Sequence, residues 1–228
     1  MLFRSRNRWT VKTVSDSIKV QGMVLKATPV GEHDKRLVIQ TTALGRITAF
    51  ARGARRPNSP LVASANPFVM GEFTLYEGKN AYNCAEVNAS GYFRELSGLI
   101  PGVYMGFYFL DLVDYFGREN IDGTDMLNLL YVCLKMLIRD DVPDMFVRCV
   151  FELRLLYQAG VYAPDPGRME EGLYALCDRI CRLPLRKLFT ELPEEDMVEK
   201  LDAYAEKVTK NTLDRPLKSA EIMRDFYR

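Results

Sequence analysis

"KRLVIQTTALGRITAFARG" runs from Lys35 to Gly53. Two short β-branched runs, Lys35–Thr42 and Gly45–Gly53, meet at a turn around Leu44–Gly45, which is the pattern of neighbouring strands rather than of a helix. Upstream, "IKVQGMVLKAT" alternates around Val20, Gly22, Val24 and Lys26 and reads as another strand. Downstream, "NPFVMGEFTLYEGKNAYNCAEVNASGYF" gives two more, joined at Glu77-Gly78-Lys79-Asn80 by residues suited to a hairpin turn. Five short strands within about 75 residues, with the longest connection between the third and fourth, fit a small closed barrel better than a sandwich.

A five-stranded barrel of this size has the OB architecture, although the pattern also leaves room for another small barrel. After Arg94 the apolar period changes from 2 to 3.6. Pro101 stands where a first helical residue would, and Val103, Phe107, Leu110 and Asp114 follow at helical spacing. A second helix is expected from the caps in "IDGTD" to about Arg139, and a third from Asp141-Val142-Pro143 to the stop at Gly160. Three shorter helices are expected near residues 168–182, 194–210 and 217–227. The expected fold is therefore α+β: a basic arm over residues 1–18, a five-stranded OB-fold β-barrel over 19–94, and an all-α helical domain over 95–228.

The net charge of +1 conceals two halves of opposite sign. Residues 1–60 hold twelve Lys and Arg against three acids, a net of +9, and residues 61–228 hold nineteen against twenty-seven, a net of −8. Such asymmetry suggests that the first part meets a polyanion. The longest uncharged apolar run, Leu99 to Leu110, is too short to span a bilayer, and Asp111 follows at once. The first residues are basic without an apolar stretch, so a cytoplasmic protein is the default expectation, with an Arg-rich transit peptide as the competing look-alike. Five cysteines at irregular spacing point to thiols rather than a disulfide framework. Cys177 and Cys181 lie four apart and would share a helix face in packing, while His33 is expected to be a solvated loop residue.

Nucleophile, phosphate-loop and metalloprotease motifs do not occur in the sequence, so no catalysis and no cofactor are expected. Asp111, Asp114 and the acids at 194–196 are expected to be solvated or placed near a helix N-terminus. The basic residues are the stronger signal. Lys26 lies near the end of the first strand, Lys35 and Arg36 open the second, Arg46 opens the third, and Arg52, Arg55 and Arg56 lie on the Gly/Pro-punctuated loop after it. Strand ends that alternate up and down would bring these seven to one rim or face, where arginine forks bind phosphate, with a scattered, solvated surface as the competing reading. Tyr76, Tyr82, Tyr92 and Phe93 are candidates for stacking on bases, each with core or edge packing as the competing role.

The segment from Gly22 to Tyr76, with its G-E-x-D-K turn, T-x-x-x-G-x-I strand, R-G-x-R-x-x-x-S-x-L loop and following P-F, resembles the N-terminal domain of the RecO family of recombination mediators. "FELRLLYQAGVYAPD", Phe151 to Asp165, is similar to that family's central helix and the break after it. The likeness covers residues 19–165 closely and 173–225 loosely. It implies binding of single- and double-stranded DNA, annealing of complementary strands, and help in replacing single-stranded DNA-binding protein by RecA together with RecR. It also implies contact with the acidic C-terminal tail of single-stranded DNA-binding protein. By position, Arg52, Arg55 and Arg56, with Lys35 and Arg36, are the DNA-contact candidates. Arg148 and Arg154, beside Phe151 and Leu155, are the candidates for the tail, with pairing of Arg148 to Glu152 and of Arg154 to Gln158 as the competing expectation. Many members of the family insert a four-cysteine zinc module after the Tyr-Ala-Pro break. Here Tyr162-Ala163-Pro164-Asp165 leads straight into "PGRMEEGLYALCDRICRLPL", so no metal is expected. Two other functions compete: a non-catalytic OB-fold adaptor for an acidic peptide tail, and an RNA-binding OB protein.

Overall fold

The computed structural model describes residues 17–227. The expected basic arm thus lies outside the described residues except at its end, where Ile18 opens the first strand. The strands are β1 (Ile18–Val30), β2 (Asp34–Thr41), β3 (Arg46–Ala51), β4 (Met70–Tyr76) and β5 (Tyr82–Gly91). They close a barrel in the order β1-β2-β3-β5-β4, all pairs antiparallel except β3 with β5. This is the OB fold.

β1 makes the closure possible because it is long enough to pair twice. Its first half pairs with β4 (Ile18↔Leu75 to Met23↔Met70) and its second with β2 (Gly22↔Thr41 to Val30↔Asp34). At the crossover, Gly22 lies so close to β2 that a Cβ would come within 2.7 Å of the Gln40 carbonyl oxygen. Val20, Val24, Leu37, Ile39, Ile47, Ala49, Phe73 and Leu75 fill the interior. Full burial of such side chains stabilises by about 1.5–3 kcal/mol each.

The helices are α1 (Arg94–Ser97), α2 (Gly102–Phe116), α3 (Thr124–Met136), α4 (Asp144–Gln158), α5 (Glu171–Arg182), α6 (Leu185–Leu188), α7 (Glu195–Thr212) and α8 (Lys218–Phe226). A division falls between Arg94 and Glu95, and the barrel's unit takes in a further segment. Leu112–Asn128 belongs to the barrel's compact unit, and Glu95–Asp111 with the chain from Leu129 onward forms the second unit. Backbone bonds explain the first grouping. The Arg46 N–H donates to the Arg118 carbonyl at 2.9 Å, Asn120 to Leu44 at 2.9 Å, and Gly123 to Thr42 at 2.8 Å. Gly45 takes φ +66° beneath this segment, and a Cβ there would meet the Arg118 carbonyl oxygen at 2.1 Å.

In the helical unit α4 is buried around most of its circumference, with Phe146, Val147, Val150, Phe151, Leu153 and Leu155 all inside. A helix buried on most of its sides is central to its unit. Phe109 stacks on Phe151 with ring centroids 4.0 Å apart. Gly160, at φ +72°, takes the left-handed turn that ends α4. Among the described residues no helix is long and apolar enough to cross a membrane.

Candidate nucleic-acid interface

The loop from Arg52 to Val69 is anchored by its own apolar residues. Ala54, Leu61 and Ala65 enter the barrel core, so the guanidiniums of Arg52, Arg55 and Arg56 are left outside. The β1–β2 turn holds the same loop from below. The Asp34 carboxylate accepts the Gly53 N–H at 2.7 Å, and the Arg55 N–H donates to the His33 carbonyl at 2.9 Å. The Arg55 guanidinium donates to the Gly31 carbonyl at 3.2 Å. Gly53 has φ +67°, which a side chain would strain.

Lys35 has a different role from the one its charge suggests. Its ammonium donates to the Ala65 carbonyl at 2.9 Å and to Asn66 Oδ1 at 2.8 Å, so two of its three donors brace the loop. Burial, and then the charge of Arg55, push its pKa below 10.5. Arg36 points outward on β2, exposed, with Phe50 of β3 and Thr28 of β1 as its lateral partners. Among the described residues no carboxylate forms an ion pair with Arg36, Arg52, Arg55 or Arg56.

The seven cations do not share one rim. Lys26 and Arg46 converge on Asp114: Lys26 Nζ lies 2.8 Å from Oδ2, and Arg46 Nε and one terminal nitrogen lie 2.6 and 2.5 Å from Oδ1. Arg46 pairs with Gln40, whereas Lys35 stands five residues back along β2, roughly 17 Å away at strand rise. The strand that starts at one end of the barrel hands over to the loop at the other, so opening β3 places Arg46 far from Arg52. Burial drives the Asp114 pKa up, but the hydrogen bonds and charges of Lys26 and Arg46 prevail and hold it below 3.8.

The stacking candidates also divide. Tyr76 is exposed, and Tyr92 carries the Arg94 guanidinium over its ring at 4.9 Å. Tyr82 is half-buried, and Phe93 is in the core at 6% exposure, so it offers no face to a base. Phe50 was not singled out by sequence, yet it is half-exposed directly across from Arg36. The alternation of "RITAFA" is the signal that could have found it.

Residues 15–93 match the family described as Recombination protein O N terminal. The chain is 31% identical over 144 residues to the DNA repair protein RecO of Alkaliphilus metalliredigens, covering 63% of this chain and 58% of that one. It is 33% identical over 147 residues to that of Acetivibrio thermocellus, covering 64% and 58%. For Heliobacterium modesticaldum the figures are 31% over 147 residues, covering 64% and 52%. Residues 15–93 thus carry a RecO-type N-terminal domain. It spans little more than half the length of these curated relatives.

In the helical unit both tail candidates are engaged internally. Arg148 is 4% exposed, and its guanidinium donates to Glu152 at 3.1 Å and to Asp202. Arg154 donates to the carbonyls of Ile180, at 3.0 Å, and Cys181. A guanidinium carried on a central helix has to be paired internally, and both are. Arg148 nevertheless lines a cavity of about 370 Å³ with Thr209, Leu213, Leu217, Ala220 and Arg224. Cys177 and Cys181 are both buried on α5, where burial pushes their thiols up to about 11 and about 12. Such thiols are poor sources of the thiolate that a metal site needs.

Proposed function

We propose that this chain is a DNA-binding recombination mediator of DNA repair, working in the cytoplasm without catalysis or cofactor. It binds single- and double-stranded DNA at the barrel end formed by the Gly31–His33 turn and the Arg52–Val69 loop. One observation carries this reading: Arg36, Arg52, Arg55 and Arg56 lie outside on a loop and strand fixed from within, with no carboxylate paired to them among the described residues. Cations held in place and left unneutralised suit phosphate, whose neutralisation releases counterions. Phe50, Tyr76 and Tyr92 supply partly exposed rings near or beyond these charges. Annealing follows from holding two strands' phosphates on one surface. Likeness to RecO proteins supports the further steps, replacement of single-stranded DNA-binding protein by RecA together with RecR.

The acidic tail of single-stranded DNA-binding protein is proposed for the helical-unit cavity. Leu213, Leu217 and Ala220 give it an apolar floor, and Lys210 and Arg224 stand among its charged lining.

The test is a titration of labelled single- and double-stranded DNA across salt concentrations. Replacing Arg52, Arg55 and Arg56 by Ala should change stability by about 0.5 kcal/mol or less each. Affinity should fall for all sequences alike, and the slope of log affinity against log salt should shrink by up to about 0.7 per lost contact on single strands. An unchanged slope with the fold intact would overturn the proposal. Preference for RNA of the same sequence in competition would replace DNA as the ligand.

A further inference from the structure

We infer that Asp114 is a built-in surrogate for phosphate, which occupies Lys26 and Arg46 and keeps a second polyanion subsite on the barrel closed. The inference rests on the DNA-binding reading of the barrel. One carboxylate takes both cations: Oδ2 receives the Lys26 ammonium at 2.8 Å, and Oδ1 receives two nitrogens of the Arg46 fork at 2.6 and 2.5 Å. A planar fork beside a point charge is also the arrangement that holds the oxygens of a phosphate.

Exposure sets the order of encounter. The side chains of Lys26 and Arg46 are 44% and 32% exposed, against 15% for Asp114. An anion arriving from solvent therefore meets the cations first, with the carboxylate beneath them.

The competitor is nonetheless intramolecular and acts at high effective concentration. It is also held firmly. The Arg46 N–H donates to the Arg118 carbonyl at 2.9 Å, and a Cβ on Gly117 would come within 2.7 Å of the Arg46 Cβ. The same short segment therefore grips Arg46 by backbone and side chain. DNA is confined to the opposite end of β2 and β3, and Lys26 and Arg46 stay in reserve.

Asp114→Asn preserves the shape and removes the charge. The probe is a fluorescein-labelled oligothymidine of roughly 30 nucleotides, long enough to cross the barrel. The variant should bind about fivefold more tightly at low salt, the factor that about 1 kcal/mol of competing ion pair represents. Its salt slope should steepen by up to about 1.4, two added contacts on a single strand. Glu86→Gln, which removes an exposed acid elsewhere on the barrel, measures the effect of net charge alone and should give a smaller gain. Adding Lys26→Gln and Arg46→Gln to Asp114→Asn should abolish the gain. Those two substitutions with Asp114 intact should leave the salt slope unchanged, which keeps the test open even where Asp114→Asn fails to fold.

A gain equal to that of Glu86→Gln, or one that survives loss of both cations, overturns the inference. So does a shallower salt slope when Lys26 and Arg46 alone are replaced. If the unmodified chain does not bind the oligonucleotide, the DNA-binding reading itself falls, and this inference with it.

Discussion

The Asp34 carboxylate accepts the backbone N–H of Gly53 at 2.7 Å, so an acid in the middle of the most basic part of the chain holds the arginine loop's backbone. A carboxylate that accepts from a main-chain donor fixes where the loop begins without neutralising the guanidiniums three residues on. Asp34→Ala should cost about 1 kcal/mol of stability in denaturant unfolding. It should also weaken DNA binding, although it removes a negative charge from the site. Tighter binding by this variant would show that Asp34 acts on DNA only through its charge.

Gly45 provides a purely conformational test. It combines φ +66° with an approach to the Arg118 carbonyl that leaves no room for a Cβ. Gly45→Ala should therefore destabilise the barrel by about 2 kcal/mol or more, since a strained backbone and a steric overlap act together. Thermal unfolding followed by circular dichroism measures this. A shift within error would mean that the segment from 117 to 123 yields freely.

The strands were legible because a half-buried strand alternates, and β3 and β4 do so, whereas β1 is buried at four successive residues from Gly22 to Leu25. The arginine loop was legible as a cluster, since Arg52, Arg55 and Arg56 are near neighbours in sequence. Its apolar anchors Ala54, Leu61 and Ala65 were not, because small residues in a Gly/Pro-rich stretch look the same buried or exposed. Asp114 read as a solvated helix acid, and its partners Lys26 and Arg46 lie far back in the chain, where no local pattern reaches. The pairing of Arg148 with Glu152 follows from four-residue helical spacing, whereas Asp202 reaches Arg148 only through the packing of α7 on α4. The place of Leu112–Asn128 in the barrel unit was hidden because α2 reads as one uninterrupted helix.

Acid titration should report the Asp114 cluster. Its folded pKa lies below the ordinary 3.8, so in the interval between the two values the unfolded chain binds more protons than the folded one. Stability from this group is therefore fully present above 3.8 and is lost as pH falls through the depressed folded value. The stability difference between the unmodified chain and Asp114→Asn should shrink toward the acid end of a series of unfolding curves. A difference independent of pH across that window would show that the carboxylate gains nothing from Lys26 and Arg46.

The helical unit offers a sharper test of what Arg148 does. Glu152 is buried and accepts from the Tyr108 hydroxyl at 2.7 Å, from Arg148 at 3.1 Å and from the Thr209 hydroxyl at 3.3 Å. Burial drives its pKa up, and the positive charge of Arg148 opposes that rise. Arg148→Met strands an unpaired buried carboxylate and should cost about 3–5 kcal/mol. Glu152→Gln removes the charge but keeps an acceptor for Tyr108 and Thr209. Combined with Arg148→Met it should recover part of that loss, so the double variant should be more stable than Arg148→Met alone. Chemical denaturation of the two single variants and the double gives the coupling directly. Strict additivity would mean that Arg148 and Glu152 do not depend on each other, and would return Arg148 to the residues whose charge is available to a partner. Strong coupling instead assigns its charge to neutralising Glu152 within α4, and leaves recognition of an acidic tail to cavity-lining cations such as Lys210.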